Sequence, residues 1–146
     1  MTKEILSKDN IHLNVSTLAE KEEAIRYTGE ILVDNGYVEE SYVGKMLERE
    51  EVTSTFMGNN VAIPHGTEDA KVAVLETGLS IVTVPEGVDF GDGNIVKVLI
   101  GIAGKGDEHL EVLSKIAIVC SEEENIEKIV GAQSKEEIIR LFDEVS

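Results

Sequence analysis

Three histidines (His12, His65 and His109) and one cysteine (Cys120) are the only imidazoles and the only thiol in this 146-residue chain. A neutral imidazole is a good nucleophile near neutral pH, so the setting of each ring matters. His65 sits in Val61-Ala-Ile-Pro-His-Gly-Thr67, where its neighbours restrict the backbone. Pro64 fixes its own φ and pushes Ile63 toward extended geometry. Gly66 has no Cβ, so another chain or a phosphate can come close. The pattern sets the ring at the tip of a short strand, the kind of rigid mount that carries binding and catalytic groups. It equally suits a turn histidine with no chemistry.

His109 follows Asp107 in the first turn of an expected helix, one residue from an inner face that starts at Leu110. The positive helix end favours a neutral ring and attracts anions, whereas the neighbouring acids favour imidazolium. Arg49 is the only arginine between Arg26 and Arg140, and Glu48, Glu50 and Glu51 bracket it. It reads either as a salt-bridged surface residue or as a planar fork for phosphate oxygens. Thr53 and Ser54 are further polar groups close by in sequence. His12, beside Asn10 and Asn14, is assigned no role. Cys120 falls on an apolar helix face and reads as buried filler. Gly91-Asp-Gly93 lacks the frame of a phosphate loop, and Glu122-Glu-Glu124 reads as a solvated helix start.

The elements that must position these groups follow from periodicity. Ile11–Val15 alternates like a short strand. Ser16 or Thr17 can cap a helix whose face is Leu18, Ile25, Thr28 and Leu32, and Asn35-Gly36 stops it. A second helix is expected from about Glu39 to Glu48, with Tyr42/Met46 and Val43/Leu47 buried. Arg49–Asn60 reads as a loop and Val61–Ile63 as a strand. Thr67 reads as the cap of one helical turn, Glu68–Lys71. Val72–Val84 reads as strand, interrupted near Gly78, and Pro85–Gly93 as a loop. Ile95–Ala103 is nearly all apolar, which suits a central strand covered on both faces. Helices are expected from Asp107 to Cys120 (inner face Leu110, Leu113, Ala117 and Cys120), at Glu122–Val130 and at Lys135–Val145. The mix predicts a single α/β domain, a mixed sheet flanked by helices on both sides.

Composition narrows the function. The net charge is −16 and the sequence pI about 4.5. Nucleic acids and anionic lipid surfaces repel such a chain, and it lacks the Lys/Arg clusters that nucleic-acid binding needs. A basic protein partner suits it. A single cysteine excludes an internal disulfide and any multi-cysteine metal site. The N-terminus lacks the apolar run of a signal peptide, and Ile95–Ala103, with Lys97 inside it, is far below the ~20 residues of a membrane span. The expectation is a soluble cytoplasmic protein.

Glu50, a six-residue spacer and then Met57-Gly-Asn-Asn-Val-Ala-Ile-Pro-His-Gly66 resemble the signature of enzyme IIA proteins of the mannitol/fructose class. These belong to the phosphoenolpyruvate-dependent sugar phosphotransferase system. Met46-Leu-Glu-Arg49, Val98-Leu-Ile-Gly-Ile-Ala103 and Glu108-His-Leu110 fit the same family. The resemblance implies one enzyme IIA domain over residues 1–146, a mixed sheet with helices on both sides, and no cofactor or metal. It implies that His65 takes a phosphoryl group from the phosphocarrier HPr, becoming a tele-phosphohistidine candidate. The group would pass to a cysteine of the IIB domain of the mannitol permease, which phosphorylates the incoming sugar. His109 matches the second active-site histidine and Arg49 the arginine that contacts phosphate. Contact with the membrane would come only through the permease. Within the family the mannitol-type branch is expected; fructose-type and nitrogen-regulatory relatives share the signature. Two other classes compete with this one. A metal-dependent hydrolase would use His65, His109 and Asp69 or Asp107, a spacing that matches no established ligand pattern. A binding-only regulatory module would not need the His65 side chain.

Overall fold

In a computed structural model the chain is described over residues 5–16, 20–105 and 108–143. The most apolar segment becomes the middle of the sheet. β5 (Ile95–Ala103) lies between β4 (Gly78–Asp89), antiparallel to it, and β3 (Val61–Ala62), parallel to it. β1 (Ile11–His12) runs parallel to β4 at one edge, and β2 (Phe56–Gly58) runs antiparallel to β3 at the other. The order is β1-β4-β5-β3-β2.

Alternation along the central strands sends side chains to two cores. On one face Val82, Leu99 and Ala103 meet Ile25 and Leu32 of α1 (Lys21–Asp34) and Met46 of α2 (Ser41–Val52). On the other, Ile81, Val98, Ile100 and Ile102 meet α3 (Glu108–Cys120), α4 (Glu123–Val130) and α5 (Lys135–Asp143) through Ile116, Ile129 and Ile138. Burial of this kind stabilises by roughly 1.5–3 kcal/mol for each large apolar side chain. The expected fold class holds: a mixed sheet with helices on both sides.

Several expected boundaries move, each for a local reason. β1 is shorter than Ile11–Val15, because beyond His12 the chain bends through Asn14 at φ 55°. α1 starts after Glu20; Thr17 and Leu18, expected as its cap and first face residue, lie outside the described residues. Ile25, Thr28 and Leu32 are buried as expected, and Gly36 at φ 80° follows the helix. α2 runs one turn further than Glu48 and carries Arg49 and Glu50 on the helix.

The segment read as a loop to Asn60 contains β2 and a hairpin instead. Asn59 and Asn60, at φ 48° and 66°, supply the left-handed turn that reverses the chain. Pro85–Asp89, read as part of a loop to Gly93, continues β4 through an irregularity between Thr83 and Val88. There the proline's missing N–H costs little, as at other bulges. Strand begins only at Gly78, because a 3-10 helix occupies Glu68–Ala73.

The inner face of α3 is Val112, Ile116, Val119 and Cys120; of the expected stripe Cys120 is buried, Leu113 packs at the core's edge and Ala117 is exposed, and the Leu110 side chain lies outside the described residues. Asp107 and Val145 lie outside the described residues. Cys120 is buried, and desolvation pushes its thiol pKa up to about 12, consistent with packing and not with nucleophilic chemistry. His12 accepts or donates at Nδ1 to the Tyr27 hydroxyl (2.6 Å) and stacks edge-on against that ring.

Candidate functional site

β3 is short because Pro64 ends its ladder. The strand direction nevertheless persists. The Ile102 N–H donates to the Pro64 carbonyl (2.9 Å), and His65 bridges to Ile102 in parallel sense. On the other side the Ile63 N–H donates to the Thr55 carbonyl (3.1 Å). The Ile63–His65 segment is therefore clamped between the hairpin and the central strand.

The His65 ring folds back on this clamp. Nδ1 lies 2.8 Å from the Ile63 carbonyl oxygen. A carbonyl only accepts, so Nδ1 carries the proton and the neutral ring holds its lone pair on Nε2. Burial lowers the His65 pKa below its ordinary 6.5; the Ile63 bond acts against this, and the Arg49 charge adds to the lowering. The ring is thus neutral around pH 7.

Gly66 is required for a different approach than expected. A Cβ there would stand 2.6 Å from the Tyr42 ring and 3.0 Å from Ala70. The space belongs to Tyr42, whose hydroxyl accepts the Gly66 N–H (2.9 Å) and donates to the Ile102 carbonyl (2.7 Å). Burial raises the Tyr42 pKa, which keeps that hydroxyl a donor.

His65, Arg49, Lys71, Thr67 and Tyr42 line one cavity of about 230 Å³, closed on another side by Gly104. Arg49 is half-buried on the last turns of α2, and one of its nitrogens donates to the Thr53 carbonyl (2.8 Å). Thr67 turns its hydroxyl to Asp69, whose carboxylate also pairs with Lys45 (3.2 Å). A guanidinium, an ammonium and a neutral imidazole thus surround a space large enough for a phosphoryl group, within a chain of charge −16. Such an arrangement suits nucleophilic attack on an anionic phosphorus centre.

The structure therefore brings His65 and Arg49 to one cavity. His109 lies on the first turn of α3, in line with Val112 and Ile116 along the helix; its side chain is outside the described residues. Thr53 and Ser54 do not line the cavity: Thr53 is exposed and holds Arg49 through its carbonyl, and Ser54 Oγ accepts the Phe56 N–H. Tyr42 and Lys71 were missed, one read as core and the other as the end of a helical turn. The signal for Tyr42 was its hydroxyl, which needs a partner when buried. A larger groove of about 860 Å³ runs between Ile5–Asp9, α3 and α5, but among the described residues no histidine or arginine lines it. Among the described residues no three His, Cys, Asp or Glu side chains are grouped to hold a metal.

A family model for the phosphoenolpyruvate-dependent sugar phosphotransferase system, EIIA 2, matches residues 4–145. The chain belongs to that EIIA family. The mannitol-specific phosphotransferase enzyme IIA component of Geobacillus stearothermophilus is 62% identical over 146 residues, the full length of both chains. That of Bacillus subtilis (strain 168) is 59% identical over 143 residues, covering 98% of this chain and 99% of the relative. Among solved structures, the Escherichia coli complex of enzyme IIAMTL and phosphorylated enzyme IIBMTL matches at TM-score 0.89 and 41% identity, over 95% of this chain and 97% of that one. The crystal structure of IIA mannitol from Escherichia coli matches at TM-score 0.86 and 42% identity, over 94% and 98%. The EIIA fold accounts for the sheet order and helix layers described above, and membership makes the chain a phosphotransfer component of this system. No described helix is long and apolar enough to cross a membrane.

Proposed function

We propose that this chain is a mannitol-specific enzyme IIA component that carries a phosphoryl group on Nε2 of His65 between HPr and IIB. The observation that carries the reading is the His65 ring itself. Its Nδ1 proton is held by the Ile63 carbonyl and its pKa is lowered by burial, beside Arg49 and Lys71. Full-length relatives with mannitol-specific names support the sugar.

In the accepting step the Nε2 lone pair attacks phosphorus on phospho-HPr. One P–N bond forms as the donor's bond to phosphorus breaks, and the electron pair returns to the donor. In the second step a IIB cysteine thiolate attacks the same phosphorus; an S–P bond forms, the P–N bond breaks, and its pair returns to Nε2. Neither step needs a cofactor. Catalysis rests on alignment and on spreading the equatorial oxygens' charge over fixed donors. Arg49 supplies a planar fork for them, and Lys71 a second positive charge. His109, matched to the family's second histidine, assists the transfer.

Incubation with phosphoenolpyruvate, enzyme I and HPr, followed by intact-mass analysis, tests this. One acid-labile phosphoryl group is expected, absent in His65→Ala and formed about 10²-fold more slowly in Arg49→Ala. A His65→Ala protein that still accepts the group contradicts the reading. Growth on mannitol of a IIA-deleted host carrying this gene tests the sugar.

A further inference from the structure

Glu50 sits where a carboxylate is doubly disfavoured. It is only 6% exposed, and it lies in the last turn of α2, at the negative end of the helix dipole. An apolar side chain of similar size would pack there at lower cost if the position served stability alone.

Its partners show what it holds. Lys21, the first residue of α1, pairs with Oε2 at 3.0 Å. The Thr55 N–H donates to both carboxylate oxygens (3.0 and 3.2 Å) and the Thr55 hydroxyl to Oε1 (2.5 Å). Thr55 is buried, and its carbonyl accepts the Ile63 N–H. The Ile63 carbonyl in turn accepts the His65 Nδ1 proton. Two residues, Thr55 and Ile63, thus link a buried charge to the imidazole.

We propose that Glu50 is a positioning residue: by gripping Thr55 it fixes the Ile63 carbonyl that keeps the His65 proton on Nδ1 and the lone pair on Nε2. The proposal rests on reading His65 as the phosphoryl acceptor. Thr55 forms one jaw of the clamp and Ile102 the other. Releasing the first jaw lets the Ile63 carbonyl turn away, and the tautomer is then no longer selected.

The test reads the imidazole nitrogens of unphosphorylated, 15N-labelled protein by long-range 1H–15N NMR at pH 8. Wild type is expected to show a protonated Nδ1 and a pyridine-type Nε2 for His65. Glu50→Gln is expected to show a mixture of both tautomers. Its maximal rate of acceptance from phospho-HPr is expected to fall about tenfold, while the half-saturating HPr concentration stays within about twofold. Thr55→Val removes the hydroxyl but keeps the N–H and carbonyl, and is expected to move both readouts the same way by less. It decides the matter if Glu50→Gln does not fold. A folded Glu50→Gln, or failing that a folded Thr55→Val, with the wild-type nitrogen pattern and rate overturns the proposal. The NMR readout needs no phosphoryl donor. A wild-type protein that shows the fixed tautomer yet takes no phosphoryl group therefore sinks the functional reading and leaves the tautomer assignment standing.

Discussion

A histidine serves phosphoryl transfer only while its ring is neutral, and burial biases His65 that way. The sign of the effect is definite. The folded pKa lies below 6.5, so the unfolded chain binds this proton at higher pH than the folded one does. The group's contribution to stability is therefore full above pH 6.5 and is lost as pH falls through the folded value. The rate of phosphoryl acceptance should follow the same ring. It is expected to hold as pH drops through 6.5 and to decline only below, measured by rapid quench with phospho-HPr in excess. A decline centred above 6.5 contradicts the assignment. Tyr42 belongs to this scale too. Its hydroxyl ties Gly66 to Ile102, so the residue after His65 is fixed by a side chain from α2.

Close approach of elements is what brings these residues together, and it is testable at two glycines. A Cβ on Gly101 of β5 would stand 2.4 Å from Ser80 Oγ and 2.7 Å from Thr28 Cγ2, so α1 would have to lift from the sheet. Gly101→Ala is expected to cost about 1–3 kcal/mol in urea unfolding. Gly44, on the exposed face of α2, has nothing within 4 Å of that position. Gly44→Ala is expected to stabilise by about 0.5–1 kcal/mol. Equal effects would mean that the helix packs less closely than described. The same elements show how far the sequence could be read. β5 was legible to the residue because an apolar run broken only by Lys97 and Gly101 suits a strand covered on both faces. The Asn59-Asn60 hairpin was not, because its strands are two or three residues long and give no periodic signal. The pairing of Glu50 with Lys21 and Thr55 was equally hidden. Lys21 lies at the start of another helix, and nothing local marks their contact. His65 and Arg49 were read through a family motif, whereas the jaws that hold the ring, Thr55 and Ile102, are distant in sequence and give no local signal.

The molecule as a whole carries −16, yet one cavity gathers cations around an imidazole. The two facts operate at different ranges. In the proposed function Arg49 and Lys71 act on a phosphoryl group over a few ångströms, while the acidic surface acts on a whole protein across a Debye length of about 8–10 Å. Association with a basic partner surface on HPr should therefore slow by about tenfold or more from low to physiological salt. A rate indifferent to salt would remove steering from the account and leave the local chemistry intact. The most direct test of the central claim is a 31P and long-range 1H–15N NMR spectrum of the 15N-labelled protein after phosphotransfer. One phosphoryl group is expected, with phosphorus–nitrogen coupling to Nε2 of His65. Coupling to Nδ1 of that ring, or a phosphoryl group on any other residue, would contradict it.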